Sequence, residues 1–254
     1  MRLAIFSAFP QETKNLIRSF RPIEKSVRRS LILYFARYFF REIIVAQTGM
    51  GAKNTEAALK CVVKDYSPDL LLSVGFGGAL YSGASAGDII CARRVFLVPE
   101  NIPQGSAPDH MKLDSQEIPD AVTIVSRLSG RIQIHEGCIL TLEKHMEKSA
   151  IRKILPGDLS FPVCDMETYF LARLAKEIGL PFLSLRAITD RADEEIPAEL
   201  LRVTDESGKY KLSLAIRLIL GRPQIIGHIF KIGINARMAS NNLSHGVKSL
   251  IELL

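Results

Sequence analysis

The sequence predicts an α/β fold, and three observations predict it. Short apolar runs alternate with amphipathic helical patterns along most of the chain, the signature of sheet strands joined by helices. The stretch Asp69–Val74 is a nearly continuous apolar run, as expected of a strand covered on both faces. No repeat, low-complexity tract or shift of composition divides the 254 residues, so one domain spanning 1–254 is expected.

The elements follow in order. Leu3–Phe6 reads as a first buried strand and Glu12–Ser19 as the first helix, with Leu16 and Ile17 flanked by charge. Leu31–Phe35 and Glu42–Gln47 read as strands. Thr48-Gly49-Met50-Gly51 breaks the pattern before a helix over Asn54–Val63. After Asp69–Val74, Gly75-Phe76-Gly77-Gly78 is expected to end the strand, and a new one begins near Gly87-Asp88-Ile89-Ile90. Pro99–Pro119, rich in Pro, Asp and Ser, reads as a long loop. Helices are expected around Ala121–Leu128, Lys144–Ile154 and Asp165–Ile178. Strands are expected at His135–Leu140 and Phe182–Ile188, and a basic, mostly helical extension over 197–254.

Composition excludes several classes. A chain that is 47% hydrophobic and 24% charged is a globular one, not a disordered one. No run of eighteen apolar residues spans a membrane, and Pro10-Gln11-Glu12 interrupts the apolar N-terminus before any cleavage pattern, so a cytoplasmic protein is expected. Cys61, Cys91, Cys138 and Cys164 are scattered and read as small buried hydrophobes; with dispersed histidines, no metal site is expected. The net charge of +6 is uneven. Between Ser207 and Ile251 there is no Asp or Glu, while Lys209, Lys211, Arg217, Arg222, Lys231, Arg237 and Lys248 are present. A solvated helix face explains this, and peripheral contact with an anionic membrane surface is the sharper alternative. Nucleic acid is not expected, since no binding motif accompanies the charge.

Three places can carry chemistry. The Gly75–Gly78 cluster lies after a buried strand, where α/β folds place ligands. Read as a dinucleotide fingerprint it fails, because the third glycine is misplaced and the motif is mid-chain. Asp165 and Glu167 open a helix, where they serve either as helix-terminal charges or as site carboxylates. Asp190 ends the Phe182–Ile188 strand, the edge at which open sheets present catalytic groups, although turns and caps use Asp there too.

Taken together, Ala8-Phe9-Pro10-Gln11-Glu12, Thr48-Gly49-Met50-Gly51, Ser73-Val74-Gly75-Phe76-Gly77-Gly78-Ala79-Leu80, Asp165-Met166-Glu167 and Arg186-Ala187-Ile188-Thr189-Asp190 occur in the order and spacing of the nucleoside phosphorylase/nucleosidase superfamily. The chain resembles its methylthioadenosine/S-adenosylhomocysteine nucleosidase branch over residues 1–195. The resemblance implies a three-layer fold with a central mixed, twisted sheet flanked by helices, and a homodimer or larger homo-oligomer. It also implies cleavage of the N-glycosidic bond of an adenine nucleoside with a 5′-substituted ribose, without a cofactor, phosphate being a candidate co-substrate. By matched position, Glu12 activates the attacking water and Asp190 protonates the leaving base. Met166 and Glu167 hold the ribose, while Phe9, Met50, Phe76, Gly77 and Gly78 line the substrate site. An Asp at the acid position favours a 6-aminopurine.

The sequence also departs from the family pattern. Phe76 stands where nucleosidases carry serine, and a phenyl there is expected to reshape the nucleophile site. Ser73 stands where hexameric phosphorylases carry a phosphate-binding arginine. The stretch 197–237, with Gly221-Arg222-Pro223-Gln224, looks like the hopanoid-associated phosphorylase branch, which removes adenine from a lipid-linked nucleoside. The competing reading is a nucleoside-binding or sensing protein of the same fold without turnover.

Overall fold

A computed structural model describes residues 1–28, 31–100, 109–112, 133–155, 159–195 and 225–254, with the backbone alone described at 109–112 and parts of 225–228. The expected helix at 121–128 and all of the expected extension before residue 225 lie outside these residues.

Ten strands make one mixed sheet. At its centre β1 (Arg2–Ser7) lies parallel to β4 (Arg41–Gln47) on one side and to β5 (Leu70–Ala79) on the other. Beyond β4 the sheet continues antiparallel through β3 (Leu31–Tyr38) to the edge strand β2 (Glu24–Arg28). On the other side it curls. β5 pairs with both β9 (Val163–Asp165) and β10 (Phe182–Asp190), β10 pairs with β6 (Ile89–Val98), β6 with β8 (Ile134–Leu142), and β8 with β9. The five strands therefore close a ring with β5 as its hinge to the open half. A short β7 (Asp109–Lys112) adds to the outside of β6.

Helices cover both faces. Leu3, Ile5, Leu72 and Val74 face a layer built from α1 (Pro10–Phe20) and a long C-terminal helix, α5 (Ile225–Leu253). Ala4, Phe6, Leu71, Ile44 and Ala46 face α2 (Ala52–Tyr66) and α4 (Thr168–Glu177). Alternate residues of one strand thus bury into opposite layers, which is why β1 reads as an unbroken apolar run. A shorter helix, α3 (Lys148–Ile154), packs Ile151 among Leu80, Phe96 and Leu140 of the ring.

The C-terminal helix is part of this core. Ala239, Leu243, Val247 and Ile251 follow helical spacing and are buried beneath the sheet. Its polar contacts are equally specific: Asn15 Nδ2 donates to Asn241 Oδ1 at 2.7 Å, Asn242 Nδ2 to the Gly87 carbonyl at 2.9 Å and Asn235 Nδ2 to the Thr189 carbonyl at 2.9 Å. The last of these braces the end of β10. Phe230, Ile234 and Met238 leave an exposed apolar stripe on its first half. No described helix is long and apolar enough to cross a membrane.

Three expectations are corrected. β5 does not stop at Gly75 but continues to Ala79. Pairing with β10 on one side (Gly75↔Arg186, Gly77↔Ile188) and β9 on the other (Gly78↔Cys164) fixes the backbone that glycine alone would leave free. The segment Asp165–Ile178 is a strand end followed by a helix beginning at Thr168. Within the expected loop Pro99–Pro119, residues Asp109–Lys112 form β7. Leu243 is 1% exposed, so Leu243→Ala is expected to remove about 2–5 kcal/mol of stability in a denaturant titration. A loss below about 1 kcal/mol would show that α5 is not part of the cooperative core.

Candidate active site

The site is built where β1 ends beside the middle of β5 and β10. Glu12, in the first turn of α1, turns its carboxylate back across the strand ends. Oε2 accepts from Ser7 Oγ at 2.8 Å and from the Phe9 N–H at 2.8 Å, and Oε1 accepts from the Phe76 N–H at 2.9 Å. A carboxylate offers about four acceptor sites, so Oε1 keeps a lone pair for a water. Burial pushes the Glu12 pKa above the usual carboxylate range, against the opposing pull of these donors and of the Arg186 charge.

Gly75 explains why this is possible. A Cβ there would lie 2.8 Å from Glu12 Oε1, too close for the carboxylate to stay. Gly78 serves the same purpose three residues on, where a Cβ would lie 2.8 Å from Asp190 Oδ2 and 3.0 Å from Lys148 Cε. The glycine cluster is therefore not a turn. It is a strand stripped of side chains so that two carboxylates can approach it.

Arg186, in the middle of β10, is 2% exposed. Its Nε and Nη2 donate to Asp165 Oδ2 at 2.8 and 2.7 Å, Nη2 also donates to Ser73 Oγ at 2.9 Å, and Nη1 donates to the Leu185 carbonyl at 3.2 Å. Asp165 is held in turn by Thr141 Oγ1 (2.6 Å), by the Thr168 N–H (3.0 Å) and by the Thr168 hydroxyl. Glu167 Oε1 accepts from the N–H of Gly51, the residue before α2, at 3.1 Å. Burial first, then the charges of Asp165 and Glu12, push the Glu167 pKa up to about 8, opposed by Arg186 and the Gly51 N–H.

Glu12, Glu167, Ser73 and Arg186 line one cleft with Thr48 and Thr55. Thr55 Oγ1 is buried and makes no hydrogen bond within the described residues. The cleft thus offers a ligand an unused hydroxyl. Asp190 does not line this cleft; it sits beside it at the end of β10, its carboxylate paired with Lys148 and accepting from Thr189 Oγ1 at 2.6 Å.

A sequence model described as the phosphorylase superfamily matches residues 2–219. The chain belongs to the phosphorylase superfamily. Among relatives in this superfamily, the 5′-methylthioadenosine/S-adenosylhomocysteine nucleosidase of Shewanella halifaxensis is 20% identical over 86% of this chain and 99% of its own length. The aminodeoxyfutalosine nucleosidase of Campylobacter jejuni is 23% identical over 86% of this chain and 98% of its own. Among solved structures, the Neisseria meningitidis 5′-methylthioadenosine/S-adenosylhomocysteine nucleosidase, in complex with methylthio-immucillin-A, superposes with a TM-score of 0.73 at 16% identity, covering 100% of this chain and 99% of that one. Futalosine hydrolase of Helicobacter pylori gives 0.73 at 15% identity, covering 100% and 98%. The mixed sheet between helices is the fold these structures share.

Within this superfamily fold the residues expected from sequence fall into two groups. Glu12 and Glu167 share the cleft, with Phe9 and Phe76 contributing backbone N–H groups and Gly77 and Gly78 buried along β5. Met50 and Met166 are half-buried beside Gly51 and Glu167 in the chain. The Phe76 ring packs against the core layer that holds Val74, Leu185 and Ala187. Only its backbone serves Glu12. Sequence reasoning missed Arg186, Ser73, Thr55 and Lys148 as site residues.

Two outcomes test this geometry. Gly75→Ala should lower turnover by about 100-fold while the protein still folds, since the cost falls on the Glu12 carboxylate; wild-type turnover would contradict it. Folded Glu167 keeps its proton up to about 8, whereas an unfolded glutamate loses it near 4.5. The stability it confers is complete below the lower value and is lost as pH rises through the upper one. Glu167→Gln should therefore show a smaller fall in melting temperature between about pH 5 and pH 8 than wild type. Equal falls would contradict the shift.

Proposed function

We propose that this chain hydrolyses the N-glycosidic bond of an adenine nucleoside carrying a 5′-substituted ribose, releasing adenine. The observation that carries the reading is the cleft in which Glu12 and Glu167 face one buried, already neutralised guanidinium. Breaking C1′–N9 sends the bonding electrons to the purine and leaves positive charge on the ribose. Carboxylates fixed beside that carbon stabilise the transition state more than the ground state. Water held on Glu12 Oε1 attacks C1′ and gives its proton to Glu12, whose raised pKa suits it to accept one. Glu167, beside the N–H of Gly51, binds the ribose hydroxyls.

Water suits this cleft better than phosphate. Arg186 is spent on Asp165 and Ser73, and a phosphate dianion would meet the acid groups of Glu12 and Glu167 with no second Lys or Arg among the lining residues. The base extends from the cleft along β5 towards Gly78, roughly 10 Å from Gly75 at about 3.3 Å per residue. There Asp190 protonates N7. The reading agrees with the nucleosidase names of the relatives, at low identity.

The deciding assay is adenine release from 5′-methylthioadenosine, S-adenosylhomocysteine and aminodeoxyfutalosine, each with and without phosphate. Phosphate-independent release from at least one is expected. Strict dependence on phosphate would overturn the hydrolytic assignment, and no release from any purine nucleoside would overturn the function. Asp190→Asn should slow release by about 100-fold or more, as removal of a general acid does; an unchanged rate would remove Asp190 from the mechanism.

A further inference from the structure

Lys148 is a lysine in an unusual position. It opens α3, yet it is only 4% exposed, and its Cε lies against Gly78 near the end of β5. All three of its protons are used. One goes to Asp190 Oδ2, one to the Asp190 carbonyl at 3.2 Å and one to the Arg191 carbonyl at 2.6 Å. Its backbone is fixed as firmly: the N–H groups of Lys148 and Ser149 each donate to the Glu195 carboxylate at 3.2 Å. Burying an ammonium costs several kcal/mol unless it is fully paired. A purely apolar contact at this place would avoid that cost.

The arrangement has a chemical consequence. With Lys148 on Oδ2 and the Thr189 hydroxyl on Oδ1, both oxygens of Asp190 are held by donors. A purine N7 is an acceptor and needs a proton. The Cys164 thiol lies alongside, but burial pushes its pKa up to about 12 and it donates to the Gly78 carbonyl at 3.4 Å. The acidic protons in contact with Asp190 are those of Lys148.

We propose that Lys148 is a positioning residue for leaving-group protonation: it fixes the Asp190 carboxylate over Gly78 and hands it the proton that Asp190 passes to the departing base. The inference rests on the nucleosidase reading above. As C1′–N9 breaks, its electron pair moves onto the purine and N7 takes a proton from Asp190 Oδ2. Asp190 takes one from Lys148 Nζ, and the resulting neutral amine regains its proton from solvent after adenine leaves. Asp190 returns to its starting state within the step.

The test compares two substrates in Lys148→Met and Lys148→Arg. An adenine nucleoside needs its base protonated; a nitrophenyl riboside, whose phenolate leaves unaided, does not. Arginine keeps the charge, but its guanidinium does not give up a proton in proteins. Both variants should lose about 100-fold in kcat on the adenine nucleoside with KM little changed, and less than about three-fold on the nitrophenyl riboside. If Lys148→Met does not fold, the charge-preserving Lys148→Arg decides alone. Wild-type kcat in Lys148→Arg on the adenine nucleoside, or equal losses on both substrates, would overturn the proposal. A wild-type protein inert towards every purine nucleoside but active on the nitrophenyl riboside would overturn the adenine reading while the sugar site stood.

Discussion

The buried contact between Arg186 and Asp165 holds the site together. A guanidinium and a carboxylate, each almost wholly removed from water, meet at 2.7 Å, and β5, β8, β9 and β10 are each tied to one of them. Arg186 belongs to β10 and reaches Ser73 of β5; Asp165 ends β9 and is bonded to Thr141 of β8 and to the first turn of α4. Removing one partner of such a pair leaves an uncompensated buried charge, at a cost of about 3–5 kcal/mol. The pair therefore fixes where β9 ends and where α4 begins, and with them the position of Glu167. The ring closed by β5, β6, β8, β9 and β10 is locked at its most polar point.

The same pair governs the electrostatics. Asp165 cancels most of what Arg186 could offer the cleft, leaving Glu12 buried and Glu167 half-buried with little positive charge beside them. Burial raises both of their pKa values, and the charges of Asp165 and Glu12 add to the rise at Glu167. Under the proposed reaction, such a site suits the positive charge that develops on a sugar during bond cleavage. Gly75 and Gly78 belong to the same design: acid groups can crowd a strand only where the strand carries no side chains.

Much of this was legible in the sequence. Glu12 was singled out by the family resemblance carried by Ala8-Phe9-Pro10-Gln11-Glu12, and the structure places it in the first turn of α1. The β10 strand announced Asp190 by its place at a sheet end. The remainder was hidden for physical reasons. Glu24–Arg28 became β2 without any apolar alternation, since an edge strand exposed on both faces has nothing to bury. The glycines read as a stop because glycine signals local freedom, whereas pairing on two sides removes it. Arg186 had a signal that could have been used: an arginine inside the apolar run Phe182–Ile188 must find a buried anion, and Asp165 was the acid at hand. Lys148 had none. In sequence it is one charge among several in a polar helix, and its burial depends on the distant end of β10.

The central claim is that Glu12 and Glu167 face the anomeric carbon of a nucleoside while its base lies over Gly78. A crystal structure with an adenine analogue whose ribose is replaced by a cationic pyrrolidine tests this most directly. The account predicts the ring cation beside the Glu12 carboxylate or its bound water, the sugar hydroxyl on Glu167, and the purine N7 facing Asp190. An analogue bound elsewhere, or with its base rather than its sugar between the two glutamates, would contradict it.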